Sequence, residues 1–237
     1  MMVCFGVWEH TMKNVLMAAA IASLAGAASA DVYADSVGDI NAGTFGDFTH
    51  LDIAQVEVTN DATWLYFDIT VAAMSADWGK YLVGIDTGLA GSSDGAWPRN
   101  IDWGGNIDHF VGSWADSGTG AEVHAFSGAW GLLDATYAAG TDIMSSGADH
   151  GINIHRIAVS LASLGLSVGD TFNFDVATSG GGDSDPGVDH LSLAGEATPD
   201  WGTGSASGAL LSYTVVPTPS SLALFGLGGL VAGRRRR

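Results

Sequence analysis

Positive charge is nearly absent from this chain. Eight Lys and Arg stand against 26 Asp and Glu in 237 residues, a formal net charge of −18. Between Asp31 and Val216 the imbalance is sharper, with Lys80, Arg99 and Arg156 set against 22 Asp and 3 Glu. Such a segment cannot neutralise a phosphate backbone, which excludes nucleic acid as a partner. It also gains nothing by docking on anionic lipid. Cysteine is missing apart from Cys4, so residues 31–216 hold no disulfide even in a compartment that permits one. No long stretch carries apolar residues at a period of 3.6, which removes the helical fold classes.

What is present is a series of short, β-rich or alternating runs separated by Gly, Asp and Ser. They are Leu51–Val58, Trp64–Val71, Tyr81–Asp86, Ile107–Trp114, Glu122–Phe126, Trp130–Tyr137, Ile152–Ser160, Thr171–Thr178 and Leu210–Val215. This pattern predicts an all-β domain, an antiparallel β-sandwich of jelly-roll type with about nine strands. Asn60-Asp61-Ala62-Thr63 reads as a hairpin turn. Ser160 to Gly165 reads as a single helical turn, with Ser160 as N-cap and Gly165 at its end. Thr198 to Gly208 is the one linker-like stretch. The acids are Asp far more often than Glu, which places many of them in turns.

Both ends read as targeting segments. Met12-Lys13-Asn14 is a basic start, Val15 to Gly26 an apolar helix, and Ala28-Ser29-Ala30 a small-x-small cleavage site before Asp31. Together they form a secretory signal peptide. The preceding eleven residues fit a start codon assigned too early, with Met12 the true start; a long leader is the alternative. At the other end Ser221 to Gly233 is apolar but only 13 residues long, against roughly 20 for a full membrane span. Gly226, Gly228, Gly229 and Gly233 weaken it further as a helix. Arg234, Arg235, Arg236 and Arg237 hold its end at the cytoplasmic face. The expectation is a short, transiently inserted helix. The chain thus divides into a leader at 1–30, a β-domain at 31–215 and a sorting segment at 216–237.

Val216-Pro217-Thr218-Pro219-Ser220, the Gly-rich apolar run and the terminal arginines resemble the PEP-CTERM sorting signal of Gram-negative bacteria. Thr218 stands where that family usually has Glu. The resemblance implies two processing partners, a signal peptidase at Asp31 and an exosortase at the tail. It also implies transient insertion in the inner membrane and a final place at the cell surface or outside it. A weaker likeness concerns the central domain. Asp35-Ser-Val-Gly-Asp39, Trp64-Leu-Tyr-Phe-Asp-Ile69 and Tyr81-Leu-Val-Gly-Ile-Asp-Thr87 are similar to secreted β-sandwiches related to family-nine-type carbohydrate-binding modules. That likeness implies the sandwich fold more than any sugar specificity.

Three constellations could carry chemistry. Asp183, Asp185 and Asp189 lie in a Gly-rich loop and offer the hard oxygens that collect Ca²⁺; a solvated acidic turn is the other reading. Asp31, Asp35 and Asp39 form a second acidic group with the same two readings. Trp97 and Trp103, among Asp94, Arg99 and Asp102, offer flat rings flanked by polar groups, which suits extracellular polysaccharide. Core packing is the alternative for these rings. Gly91-Ser-Ser93-Asp-Gly95 matches G-x-S-x-G, but a nucleophile elbow needs a strand before it and a helix after it, and Trp97-Pro98 follow instead. The six histidines from His50 to His190 show no metal-ligand spacing. The leading expectation is therefore a surface-sorted, non-catalytic β-sandwich. A carbohydrate-binding module comes second and a secreted hydrolase third.

Overall fold

A computed structural model describes residues 30–138 and 141–217. The signal-peptide core and the stretch from Thr218 to Arg237 lie outside the described residues. In chain order the strands are β1 (Asp31–Ala34), β2 (Ile53–Asn60), β3 (Trp64–Val71), β4 (Lys80–Asp86), β5 (Ile101–Asp102), β6 (His109–Trp114) and β7 (Gly120–Phe126). They continue as β8 (Trp130–Ala135), β9 (Ile143–Ser146), β10 (Ile154–Ser160), β11 (Thr171–Ser179), β12 (Gly187–His190), β13 (Ser205–Ala206) and β14 (Leu211–Thr214). One antiparallel sheet runs β1-β2-β3-β10-β9, the other β12-β11-β4-β6-β7-β8. β14 pairs with the first half of β11, beside β12 on the second half.

The sheets pack face to face because their strands alternate. On β3 Leu65, Phe67, Ile69 and Val71 are buried and the residues between them are not. They share one core with Tyr81, Val83 and Ile85 of β4 and with Phe172, Phe174 and Val176 of β11. Each such side chain contributes about 1.5–3 kcal/mol on leaving water, which makes this inter-sheet layer the main source of stability.

The second sheet is covered on its outer face too. β4 is buried without a break from Tyr81 to Ile85. Leu82 points out of the inter-sheet core into a second cluster with Ile101, Trp103, Ile107, Phe110 and Ala177. The residues between β4 and β6 supply half of that cluster, so this excursion is a cover over the sheet rather than a free loop. A third cluster, Ile40, Phe45, Leu51 and Val188, closes one side with help from Trp78 and Trp201.

The nine expected segments all contain strands, yet fourteen strands form among the described residues. The additional ones are two to four residues long, too short to show a period. Residues 161–165 form hydrogen-bonded turns instead of a helix, ending at Gly165 with φ +67°. Thr198 to Gly208 is packed rather than linker-like, since Thr198 and Ser205 are buried and β13 pairs in parallel with β5. The expected hairpin is present, with Asp61 Oδ1 accepting the amides of Thr63 and Trp64. Among the described residues no helix is long and apolar enough to cross a membrane.

The two ends of the domain meet at one pole. Asp31 sits opposite Val58 in the β1–β2 register. Two residues on, the buried Asn60 side chain accepts the Val216 amide at 2.9 Å and donates to the Val216 carbonyl at 2.9 Å. Tyr213 Oη donates to the same Asn60 oxygen.

Candidate functional site

Of the two tryptophans read as sugar ligands, Trp103 is structural. Trp103 is 1% exposed and its ring lies flat on Gly84, where an added Cβ would come within 2.5 Å of Cε3. It presents no face to a ligand. Trp97 is half-buried and lies on Gly112 in the same manner. The Arg99 guanidinium carbon stands 5.7 Å from its ring centroid, and its Nε1 donates to Glu122 at 2.9 Å. Burial opposes the Glu122 charge, but donors on Trp97, His124 and Tyr137 outweigh it and hold this carboxyl below its ordinary range. Arg99 is engaged as well, its Nη1 donating to the carbonyls of Gly180 and Gly182 while its buried Nε has no partner. Asp94 and Asp102 are exposed. Asp102 caps its own turn by accepting the Gly104 amide. What remains beside Trp97 is a shallow hollow of about 260 Å³ bordered by Lys80, Pro98 and Asp183.

The acidic loop is likewise rearranged. Asp183 is exposed near Arg99, and Asp185 turns back to accept the Gly182 amide at 2.8 Å. Asp189 is 1% exposed on β12, well away in character from this solvated turn. The three do not converge. Asp189 instead meets Asp35 and Asp39 of the amino-terminal group, one carboxylate oxygen from each lying within 4.8 Å of the others. Asp31, the remaining member of that group, is exposed on β1 and takes no part.

The meeting follows from the fold. β1 ends at Ala34, and the Asp35 amide extends its pairing by donating to the Ala54 carbonyl. The chain then turns through Gly38, at φ +88°, toward Asp39. β12 brings Asp189 from the second sheet, and its Oδ2 accepts the Ile53 amide of β2 at 2.7 Å. Its Oδ1 accepts the next amide, that of His190. Asp35 Oδ1 accepts Ser36 N, and Asp39 Oδ2 accepts Gly195 N. Asp35 Oδ2 and Asp39 Oδ1 are sealed from solvent without a partner. Burial, then the charges of Asp39, Asp175 and Asp52, push Asp35 up to about 7. Burial, then Asp35 and Asp39, push Asp189 up to about 8.

Two buried histidine chains complete the polar interior. His190 Nδ1 donates to Asp175 Oδ2 at 2.7 Å, and Ser205 Oγ lies 3.0 Å from His190 Nε2. This is the order of a nucleophile, base and orienting acid. Asp175 and His190 are fully buried and Ser205 is 6% exposed. Ser205 Oγ also takes the Gly187 amide, while Ser207 Oγ and the amides of Val176 and Ser192 donate to Asp175. Every member is satisfied inside the protein, and the chain fastens β11, β12 and β13 together. The spacing of fifteen residues between successive members carries no motif, so nothing in the sequence marked it. The Gly91–Gly95 match is a turn, with Ser92 bridging to Ile107.

The second chain runs from Ser113 to His155 to His150. Ser113 Oγ donates to the Gly120 carbonyl, so its 2.7 Å contact makes His155 Nε2 the donor and Nδ1 the acceptor from His150 Nε2. Tyr81 stacks on His155. Burial, helped by His150, lowers His155 to about 3. The folded state thus holds it neutral, and the unfolded state takes up a proton near pH 6.5. The His155 contribution to stability is full above pH 6.5 and drains away as pH falls from there toward 3. Between pH 7.5 and 5 its expected loss is about 2 kcal/mol. Asp35 and Asp189, raised to about 7 and about 8, change stability in the opposite sense over that range, so the loss is read as the difference between wild type and His155→Gln in urea unfolding at both values.

A scan against protein-family models and a search of curated proteins each return no match for this chain.

Proposed function

We infer that this chain is the precursor of an exported, non-catalytic β-sandwich protein that an exosortase sorts to the surface of a Gram-negative cell. The observation that carries the reading is the tail: Pro217-Thr218-Pro219-Ser220, a Gly-rich apolar run too short to span, and four closing arginines. The placement of the domain's ends supports it. Asp31, the first residue after the expected signal cleavage, pairs with Val58, two residues from the Asn60 that holds Val216, where the sorting segment starts. A domain held by either end therefore presents the same pole to the membrane, and processing leaves its body undisturbed.

The non-catalytic part of the reading is supported by the sealed Asp175–His190–Ser205 chain, which offers no hydroxyl to a substrate. Sugar binding by the loop tryptophans is left out of it, because Trp103 is core and Trp97 is half-buried, packed on Gly112 and engaged by Arg99. The role that remains is a structural one in the envelope or extracellular matrix.

Mass spectrometry of the exported protein tests the sorting. In an exosortase-containing host the product should begin at Asp31 and lack Arg234–Arg237, and deletion of the exosortase should restore the tail. Intact arginines on protein recovered outside an exosortase-positive cell would overturn the reading.

A further inference from the structure

Carboxylates collect at the junction of the two sheets without a matching cation. Asp35, Asp39 and Asp189 converge, and the charges of Asp52 and Asp175 act on Asp35 as well. Asp52, Asp175 and Asp189 are at most 3% exposed. Asp175 has its own set of donors in His190 and Ser207. The other acids have backbone amides alone. The three Lys and Arg among the described residues are all engaged elsewhere: Lys80 with Asp116, Arg156 with Asp68 and Asp149, and Arg99 with the 180–182 carbonyls.

A second observation is independent of this count. Two carboxylate oxygens of the cluster, Asp35 Oδ2 and Asp39 Oδ1, have neither a hydrogen-bond partner nor contact with solvent. A buried acceptor left unmet costs about as much as a lost hydrogen bond, and more when it is charged. Two such atoms in one place, on residues that already repel each other, need a positive centre.

We propose that Asp35, Asp39 and Asp189 bind a Ca²⁺ ion that ties the end of β1 and the loop after it to β12 of the opposite sheet. The donor set is all oxygen, which selects a hard cation over zinc or copper. The three oxygens lie within 4.8 Å of one another, close enough to share one Ca²⁺ at about 2.4 Å each. Mg²⁺ demands near-octahedral geometry and dehydrates reluctantly, so a site with three protein ligands favours Ca²⁺ over it. Three protein ligands leave the rest of the shell to water, so the site is weak, with Kd on the order of 10⁻⁴ M, the range of extracellular modules. The ion acts on a weakly secured strand, since β1 is four residues long and pairs on one side only.

The test uses exported protein stripped with EDTA and then titrated with CaCl₂ or MgCl₂. Calorimetry should show one Ca²⁺ per chain, with Mg²⁺ at least tenfold weaker. Calcium at about 100 times Kd should raise Tm by about 5–10 °C. Asp39→Asn should abolish that rise, yet melt no lower than the wild type when both are in EDTA, since it removes one of the repelling charges. Absence of binding heat together with an unchanged Tm would overturn the proposal. So would a calcium effect that survives in both Asp35→Asn and Asp39→Asn, which would put the ion elsewhere, for instance on Asp183 and Asp185. Should Asp189→Asn not fold, the half-buried Asp39 still carries the test. None of these outcomes depends on how the tail is processed.

Discussion

His190→Ala is expected to lower the domain's stability by about 3–5 kcal/mol, read as a drop in the urea midpoint at unchanged slope. His190 donates to Asp175 at 2.7 Å inside a fully buried pair. Removing one partner of such a pair leaves the other charge buried with less than its share of donors. The imidazole also holds Ser205 at its far nitrogen, and Ser205 in turn receives the Gly187 amide. Its loss therefore loosens β12 and β13 together. Asp175→Asn should cost less, because the amide keeps the shape and an acceptor for the amides of Val176 and Ser192. A relay kept for catalysis predicts the contrary pattern, an activity that vanishes with stability little changed. A loss under about 1 kcal/mol for His190→Ala would show that this chain is not a fastener.

The inner layer of the fold was legible because period two is a local signal. Leu65, Phe67, Ile69 and Val71 announce a half-buried strand within eight residues. The hairpin at Asn60–Thr63 was equally local, since Asp61 makes its turn with residues two and three positions ahead. The acidic site was not legible. Its ligands come from positions 35, 39 and 189, and only the meeting of β1 and β12 across the two sheets unites them. Asp183 and Asp185 lay nearer to Asp189 in sequence, and proximity along the chain was misleading. Asp189 faces inward from a strand, whereas Asp185 caps a turn and Asp183 is exposed on it. For the tryptophans a signal did exist. Gly84 and Gly112 interrupt β4 and β6, and a glycine inside a strand marks a close approach by another group. Here the groups are the rings of Trp103 and Trp97.

Trp103→Ala is the sharper test of that outer layer, with an expected loss of about 3–5 kcal/mol, or roughly 10 °C in Tm for a domain of this size. The ring is 1% exposed and packs on Gly84, edge-on to Phe110 at 6.1 Å and to His190 at 6.0 Å. Neither strand can close the hole, because both are held in the sheet from the other face by Val83, Ile85 and Val111. The damage should spread along the excursion between β4 and β6, since the Trp103 amide is bonded to the Ser93 carbonyl and the next turn rests on Asp102. Hydrogen exchange should accordingly rise first in residues 88–107 and leave β2 and β3 protected. Gly84→Val attacks the same contact from the sheet side, where its Cβ would lie 2.5 Å from the indole. A sugar-binding Trp103 would predict a stable variant that loses only a ligand. If Trp103→Ala melts within about 2 °C of the wild type, the cover is a loop after all and the outer face of this sheet is free to bind.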